Sequence, residues 1–308
     1  MNNNNNYKWS LRKGGKKDRC PQCGKLRFVP FVLTADPGVK AGPEYGRCDR
    51  EQSCGYFRYP GGEVKADTDR EYTPEPPKEP IMMPFEVMVQ PLDFLDNSLL
   101  SAYAPLFNSR WTYLHGIMRR YCCGTGTHGE CIYYQYDGEH VRTAKAILYG
   151  KDGHRIKPED GGLPVWWLHK SPAMRQYTTG KELKQCLFGQ HLLSRYPNAR
   201  VYVVEAEKTA VLMAATDRNP MQGRIWLACG GSQMLKGAID LMPLIGRDVT
   251  LIPDDGQYWN WRRTAEAYGW RCIDIAPLKV RHHLPDGCDI WDVTEQLLIT
   301  NKEPYELQ

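Results

Sequence analysis

The spacing of apolar positions changes along the chain, and each change predicts a different element. At 201–215, VYVVEAEKTAVLMAA, four apolar or aromatic residues run without interruption into Glu205, and beyond Lys208 the apolar spacing becomes helical. Such a pattern predicts a buried parallel strand that delivers an acid to its C-terminal edge and then a helix. In open α/β sheets that edge is where ligands bind. The alternation continues with a strand at 224–229, a Gly230-Gly231 turn, a helix from Ser232, a strand at 248–252 and the acidic turn Pro253-Asp254-Asp255-Gly256. A helix to Tyr268 and a strand at 270–275 follow, and a capped helix begins near Asp289 and Asp292. Strict strand–helix alternation predicts crossovers and a parallel sheet, so Glu205 and Asp254 belong on one sheet edge.

Upstream the periods differ. Helices are predicted around 96–107 and 111–120, and two β-rich runs, 131–136 and 140–150, flank Asp137-Gly138, a strong hairpin signal. A short strand is expected at 164–169 and a packing helix at 183–193 (LKQCLFGQHLL), although Gly189 interrupts it. His191 in that helix reads as a core or interface residue. Arg142 and Lys145 are an odd step apart, so they face opposite sides unless a bulge intervenes. Basic and aromatic groups on an open sheet suit a single strand of nucleic acid and equally an ordinary half-exposed sheet.

The N-terminal part is organised by cysteines. Cys20-Pro-Gln-Cys23-Gly24 and Cys48, five residues, Cys54-Gly55 form two loops, each turned by a glycine, that can supply four thiolates to a tetrahedral Zn²⁺. A redox reading of C-x-x-C would need a βαβ context that is absent here. Around the cysteines Phe28, Phe31, Tyr56 and Phe57 serve either as the ribbon's small core or as base-stacking groups. The stretch 61–84, rich in Pro and Glu, reads as a semi-rigid linker. The resulting organisation is a basic tail and zinc ribbon at 1–60, the linker at 61–84, a mixed α+β basic middle subdomain at 85–195 and an α/β domain at 196–308.

Composition adds three points. Hydrophobic residues make up 42% of the 308, enough for packed cores, and no apolar run approaches the roughly 18 residues of a membrane span. Without a signal-peptide pattern at the start, a cytoplasmic, non-membrane protein is expected. The net charge of +4 is mild, but Lys8, Arg12, Lys13, Lys16, Lys17, Arg19, Lys25 and Arg27 crowd the N-terminus, where they could track phosphates or form a solvated tail. Eleven cysteines in a reducing compartment favour metal ligation over disulfides for the four in the ribbon, with the other seven as small core residues.

Two carboxylates pinned at one sheet edge repel each other, an arrangement that makes sense around a hard divalent cation such as Mg²⁺ or Mn²⁺. The alternative is that Glu205 and Glu207 form an acidic cap on the following helix. The residues V-V-E-A-E-K-T-A, followed 49 residues beyond Glu205 by Asp254-Asp255-Gly256, resemble the Toprim domain, a Rossmann-like parallel sheet shared by primases, topoisomerases and certain nucleases. Placed after a zinc ribbon and a basic middle subdomain, the order resembles zinc-ribbon plus Toprim primase-like proteins of phages, plasmids and mobile elements, where a middle domain ends in a QCLFG-type helix. The resemblance implies that Glu205 acts as acid/base or metal ligand and that Asp254 is the first aspartate of a D-x-D pair. The second would fall at 256, a glycine, so Asp255 turns inward or Asp289 or Asp292 contributes; the sequence leaves these open. It further implies a DNA primase making short primers on single-stranded DNA from nucleoside triphosphates by metal-assisted transfer. Tyr133, Tyr134, Arg142 and Lys145 would line the template path, and Lys208 and Arg262 or Arg263 would contact phosphates or stay plain surface charges. Two other readings keep the fold: a non-catalytic single-stranded DNA-binding protein that recruits a replication partner, and a Toprim nuclease. No P-loop occurs in the sequence, so a helicase would be a separate partner.

Overall fold

The computed structural model describes residues 8–50, 54–60, 78–93, 96–107, 111–216, 223–235, 237 and 239–300. Two compact units divide the chain, Met1–Pro76 and Pro77–Gln308. Most of the expected linker, residues 61–77, lies outside the described residues. Its last residues are not a free tether, because Ile81 and Met83 are buried in the second unit and Met83 bridges Val141.

The first unit is a six-stranded antiparallel assembly of β1 (Trp9–Leu11), β2 (Asp18–Arg19), β3 (Leu26–Leu33), β4 (Asp36–Lys40), β5 (Gly46–Cys48) and β6 (Phe57–Arg58). The long β3 pairs with β1, β2, β4 and β5, so one apolar strand organises the module. Phe28 and Phe31 are its core, with Tyr56 edge-on to Phe28 at 5.9 Å, whereas Phe57 is 58% exposed. Of the rings left open by the sequence, Phe28 and Phe31 are therefore core, and Phe57 is not. Gly46 is required by close approach, since a Cβ there would lie 2.4 Å from the Phe28 ring.

In the second unit, α1 (Glu86–Asp93), α2 (Ser98–Phe107) and α3 (Trp111–Arg120) precede an antiparallel sheet. Its strands are β7 (Cys123–Thr125), β8 (Cys131–Tyr136), β9 (Val141–Ile147) and β10 (Trp166–Trp167), in the order β10-β9-β8-β7. The Asp137-Gly138 hairpin forms as expected. A bulge at its end lets Val141 pair with Tyr136 while Thr143 pairs with Gln135, which places Arg142 at the irregularity. Alternate residues feed two different cores. Tyr133 and Cys131 pack with Phe188 and the C-terminal strands, and Ile132, Tyr134 and Ala144 pack with Ile81, Met83 and Met88.

The segment 183–193 is not the expected helix. The short α4 (Arg175–Thr178) ends before it and α5 (Leu192–Arg195) begins only at its last two residues; between them it runs irregularly, with Phe188 bridging Ala228 and Gln185 bridging Ile239. Cys186, Leu187 and Phe188 are consecutive and all buried, which no helical stripe permits, and Gly189 adopts φ +83°. Burial on all sides had imitated helical spacing.

The C-terminal half forms a wholly parallel sheet from β11 (Arg200–Val204), β12 (Arg224–Ala228), β13 (Val249–Leu251) and β14 (Arg271–Cys272), ordered β12-β11-β13-β14. Between β11 and β12 lies α6 (Glu207–Thr216), buried nearly all round and packed against α3 and α9 (Ile290–Ile299). On β13 and β14 packs α7 (Tyr258–Tyr268), and α8 (Ala276–His282) adjoins α9. The helix expected from Ser232 is a series of turns, with Gly231 at φ 159° and Gly237 at φ 103°, followed by a single 3₁₀ turn at Met242–Leu244. Gly237 stands in the left-handed region, where a continuing right-handed helix cannot pass. Among the described residues no helix is long and apolar enough to cross a membrane.

Candidate metal centres and nucleic-acid interface

In the first unit the four cysteines converge. Their sulfurs all lie within 4.8 Å of one another, with Cys20 Sγ and Cys54 Sγ 3.7 Å apart and Cys23 Sγ and Cys48 Sγ 3.9 Å apart. A tetrahedron of bonds about 2.3 Å long places sulfurs about 3.8 Å apart, so the donor set fits Zn²⁺. Gly24 at φ +68° and Gly55 at φ +66° turn the two knuckles, as their position after each pair predicts. The Lys25 N–H, donating to Cys23, holds that thiol down at about 6, and burial pushes Cys48 up. Four thiols this close cannot all ionise without a cation among them. Part of the basic N-terminus is already neutralised: Lys40 pairs with Asp18 at 2.7 Å, Arg12 with Asp18 at 3.3 Å, and Lys17 with Asp49.

In the second unit the acids are placed by sheet topology. β11 is flanked by β12 on one side and β13 on the other, so the strand order reverses beside it, and ligands bind at such a switch point beyond the strands' carboxyl ends. Glu205 immediately follows β11, and Asp254 stands three residues beyond β13. The Asp254 N–H donates to the Glu205 carboxylate, joining the two loops. Glu205 is 8% exposed, and its Oε1 is buried without a hydrogen-bond partner. Burial, opposed by the Asp254 N–H and reinforced by Asp289, pushes Glu205 up to about 7. Burial together with Glu205, Asp289 and Asp292 pushes Asp254 up to about 8, with Lys208 opposing. Two adjacent carboxyls that resist ionisation, one with an orphaned oxygen, are what a hard divalent cation would relieve.

The remaining acids are held differently. Asp289 caps α9, accepting from Trp291 N at 2.8 Å and Asp292 N at 3.0 Å, while its other oxygen accepts from Thr209. Asp292 in turn accepts from the Asp289 N–H at 2.8 Å and is raised by burial and by Asp289. Of the alternatives the sequence left open, an inward Asp255 is not the one that forms: its carboxylate accepts from Lys279 at 2.7 Å and from the Gly287 N–H at 3.2 Å, and the Lys279 bond holds it below the usual range. Position 256 cannot readily carry an acid, because Gly256 has φ +82°. Asp289 and Asp292, not Asp255, share the neighbourhood of Asp254. Among the described residues the cysteines alone gather three or more metal-ligand atoms within 4.8 Å, so the carboxylates are an open pair with neighbours and not a closed cage.

The residues expected on a template path divide. Tyr133 and Tyr134, each 1% exposed, are corrected to core residues, because the sheet carrying them is covered on both faces; the Tyr133 hydroxyl donates to the Tyr149 hydroxyl at 2.9 Å. Arg142 donates to Asp137 at 2.7 Å, and Lys145 pairs with Glu207 at 2.6 Å. The Glu207 side chain is 2% exposed, so this bridge joins the hairpin sheet to the start of α6. Gly230 lies over it at φ +84°, where a Cβ would stand 3.3 Å from the Glu207 carboxylate. Lys208 points among the acids, its Nζ 3.4 Å from Gly153 O and 6.0 Å from the centre of the Tyr103 ring. The Lys145–Glu207 pair has no signature in sequence spacing, since its members lie 62 positions apart. His191, expected as a core or interface residue, packs within the middle subdomain, with Nε2 2.9 Å from Arg120 O and its ring beside Tyr136, and burial lowers its pKa.

The class these features define is a mixed α/β protein with an N-terminal zinc-binding cysteine cluster and a parallel-sheet core that presents paired acids at its switch point. The chain belongs to the family described as Domain of unknown function (DUF6371), whose model matches residues 97–255. A zinc beta-ribbon finger model matches residues 7–69. No curated protein matches the chain. Among solved structures, the one titled "Structure of the DnaG catalytic core" is similar at 16% identity and a TM-score of 0.33, covering 70% of this chain and 75% of that one.

Proposed function

We propose that the protein is a primase-like replication protein of a mobile element, with a Toprim-type C-terminal domain, that makes short primers on single-stranded DNA. The observation that carries this reading is the pairing of Glu205 and Asp254 on adjacent parallel strands, both raised in pKa, with Glu205 Oε1 buried and unpartnered. Glu205 and Asp254 would hold Mg²⁺ or Mn²⁺. A divalent cation there supplies the charge that lowers the pKa of a primer 3′-hydroxyl and steadies a triphosphate. Asp289 fixes the start of α9 beside the pair, and Lys208 sets a positive charge at its edge. The zinc ribbon, with exposed Phe57 and Tyr59, suits contact with the template strand.

The test is incubation of the full chain with single-stranded template, labelled nucleoside triphosphates and Mg²⁺. Short labelled products that vanish in Glu205→Gln are expected. A protein that binds the strand but yields no product would sink the catalytic reading and leave the binding one, which the diversion of Asp255 to Lys279 favours. Template cleavage in the absence of triphosphates would point instead to a nuclease.

A further inference from the structure

Beyond the acidic turn, α7 presents a surface that the paired carboxylates do not use. Trp261 and Ala265 are buried, and Trp261 Nε1 donates to Ser232 O at 3.1 Å, so the inward face of α7 is fixed. Its outward face carries Trp259, 67% exposed, with Arg262, Arg263 and Glu266 around a shallow cleft of about 350 Å³. The indole is held in place. Tyr258 meets it edge-on at 5.1 Å, and the Arg262 guanidinium lies over it, 5.3 Å from the ring centre. Even with Arg262 over the ring, most of the Trp259 surface stays exposed to solvent. Arg262 also donates to Glu266 at 2.7 Å, which anchors the guanidinium and partly neutralises it, while Arg263 beside it is exposed.

A single exposed tryptophan is ordinary on a protein surface. One that is braced by a tyrosine and a guanidinium, flanked by a second arginine and five residues past Asp254 combines a stacking face with positive charge. Bases of any sequence stack on such a ring, and guanidinium groups meet the phosphates on either side. Charge complementarity thus favours a nucleic-acid strand over an apolar protein segment.

We propose that the outward face of α7 is a stacking platform for single-stranded nucleic acid, with one base on the exposed indole of Trp259 and flanking phosphates on Arg262 and Arg263. In naming that strand as template, the proposal rests on the primase-like reading; the platform itself stands on the geometry of α7.

Fluorescence anisotropy of labelled oligothymidine with the full chain tests it, using wild type, Trp259→Ala, Trp259→Phe and Arg263→Ala. Trp259→Ala should weaken binding roughly tenfold and Trp259→Phe should restore most of it. Arg263→Ala should flatten the log–log salt dependence by about 0.7. Both side chains, Trp259 and Arg263, are exposed, so melting temperatures of all three variants should match wild type. Equal binding by wild type and Trp259→Ala overturns the platform, as does a wild type with no affinity for the strand. Primer synthesis run in parallel separates the two claims. Primers made, with Trp259→Ala binding as wild type, leave the primase reading standing without the platform; weakened binding by Trp259→Ala, with no primers from wild type, leaves the platform standing without that reading.

Discussion

Asp254→Asn should make the metal-free protein more stable at alkaline pH. The carboxyl of Asp254 is raised from 3.8 to about 8 by burial and by Glu205, Asp289 and Asp292, with Lys208 opposing. A group whose folded pKa is raised contributes stability fully present below its unfolded pKa and lost as pH climbs through the folded value. The loss therefore accrues from about pH 4 and is complete near pH 8. Some four pKa units at about 1.4 kcal/mol each give an upper bound of about 6 kcal/mol. Glu205 shares the same repulsion, so about half, ~3 kcal/mol, is a fair figure for removing one partner. At about 2–4 °C per kcal/mol this corresponds to a rise in Tm of about 6–12 °C. The assay is thermal unfolding at pH 5 and pH 8.5 in buffers made without divalent cations; a chelator is avoided because it would strip the ribbon's zinc. The variant should gain little at pH 5 and several degrees at pH 8.5, and millimolar Mg²⁺ should raise the wild-type Tm while leaving Asp254→Asn nearly unchanged. An Asp254→Asn protein as stable as wild type at pH 8.5, or less stable, would refute the claim that the pair is held together against its own repulsion.

Cys20→Ser should abolish the bound zinc and unfold the ribbon while the Pro77–Gln308 unit keeps its secondary structure, as read by metal analysis and circular dichroism; retention of one zinc per chain would contradict the four-sulfur site. Lys145→Met leaves Glu207 charged and buried and should cost about 3–5 kcal/mol in urea unfolding, most of it recovered in Lys145→Met/Glu207→Leu; a loss under about 1 kcal/mol would show that the bridge carries little. Tyr133→Phe should lower stability by about 1 kcal/mol through loss of the bond to Tyr149 and leave single-strand binding unchanged, whereas a marked drop in affinity at unchanged stability would return Tyr133 to the template path.

What the sequence by itself determined are the features written in local spacing. The two cysteine knuckles with their glycines, the Asp137-Gly138 hairpin, the uninterrupted VYVV run and the Asp289 cap each depend on neighbours a few residues apart, and each forms as that spacing predicts. The segment 183–193 and the turns after Gly231 misled because complete burial and helical packing leave similar apolar patterns in a short stretch. Which acids meet was beyond local reading. Glu205 and Asp254 come together because β11 and β13 are neighbours at the point where strand order reverses, while Lys279 draws Asp255 aside and α9 brings Asp289 and Asp292 in. The exposure of Tyr133 and Tyr134 was equally a tertiary matter, since a strand's alternation separates its two faces but does not say whether both are covered. Only the packing of the hairpin sheet between two cores turned those tyrosines inward, and only the seating of α7 on the parallel sheet left Trp259 facing out.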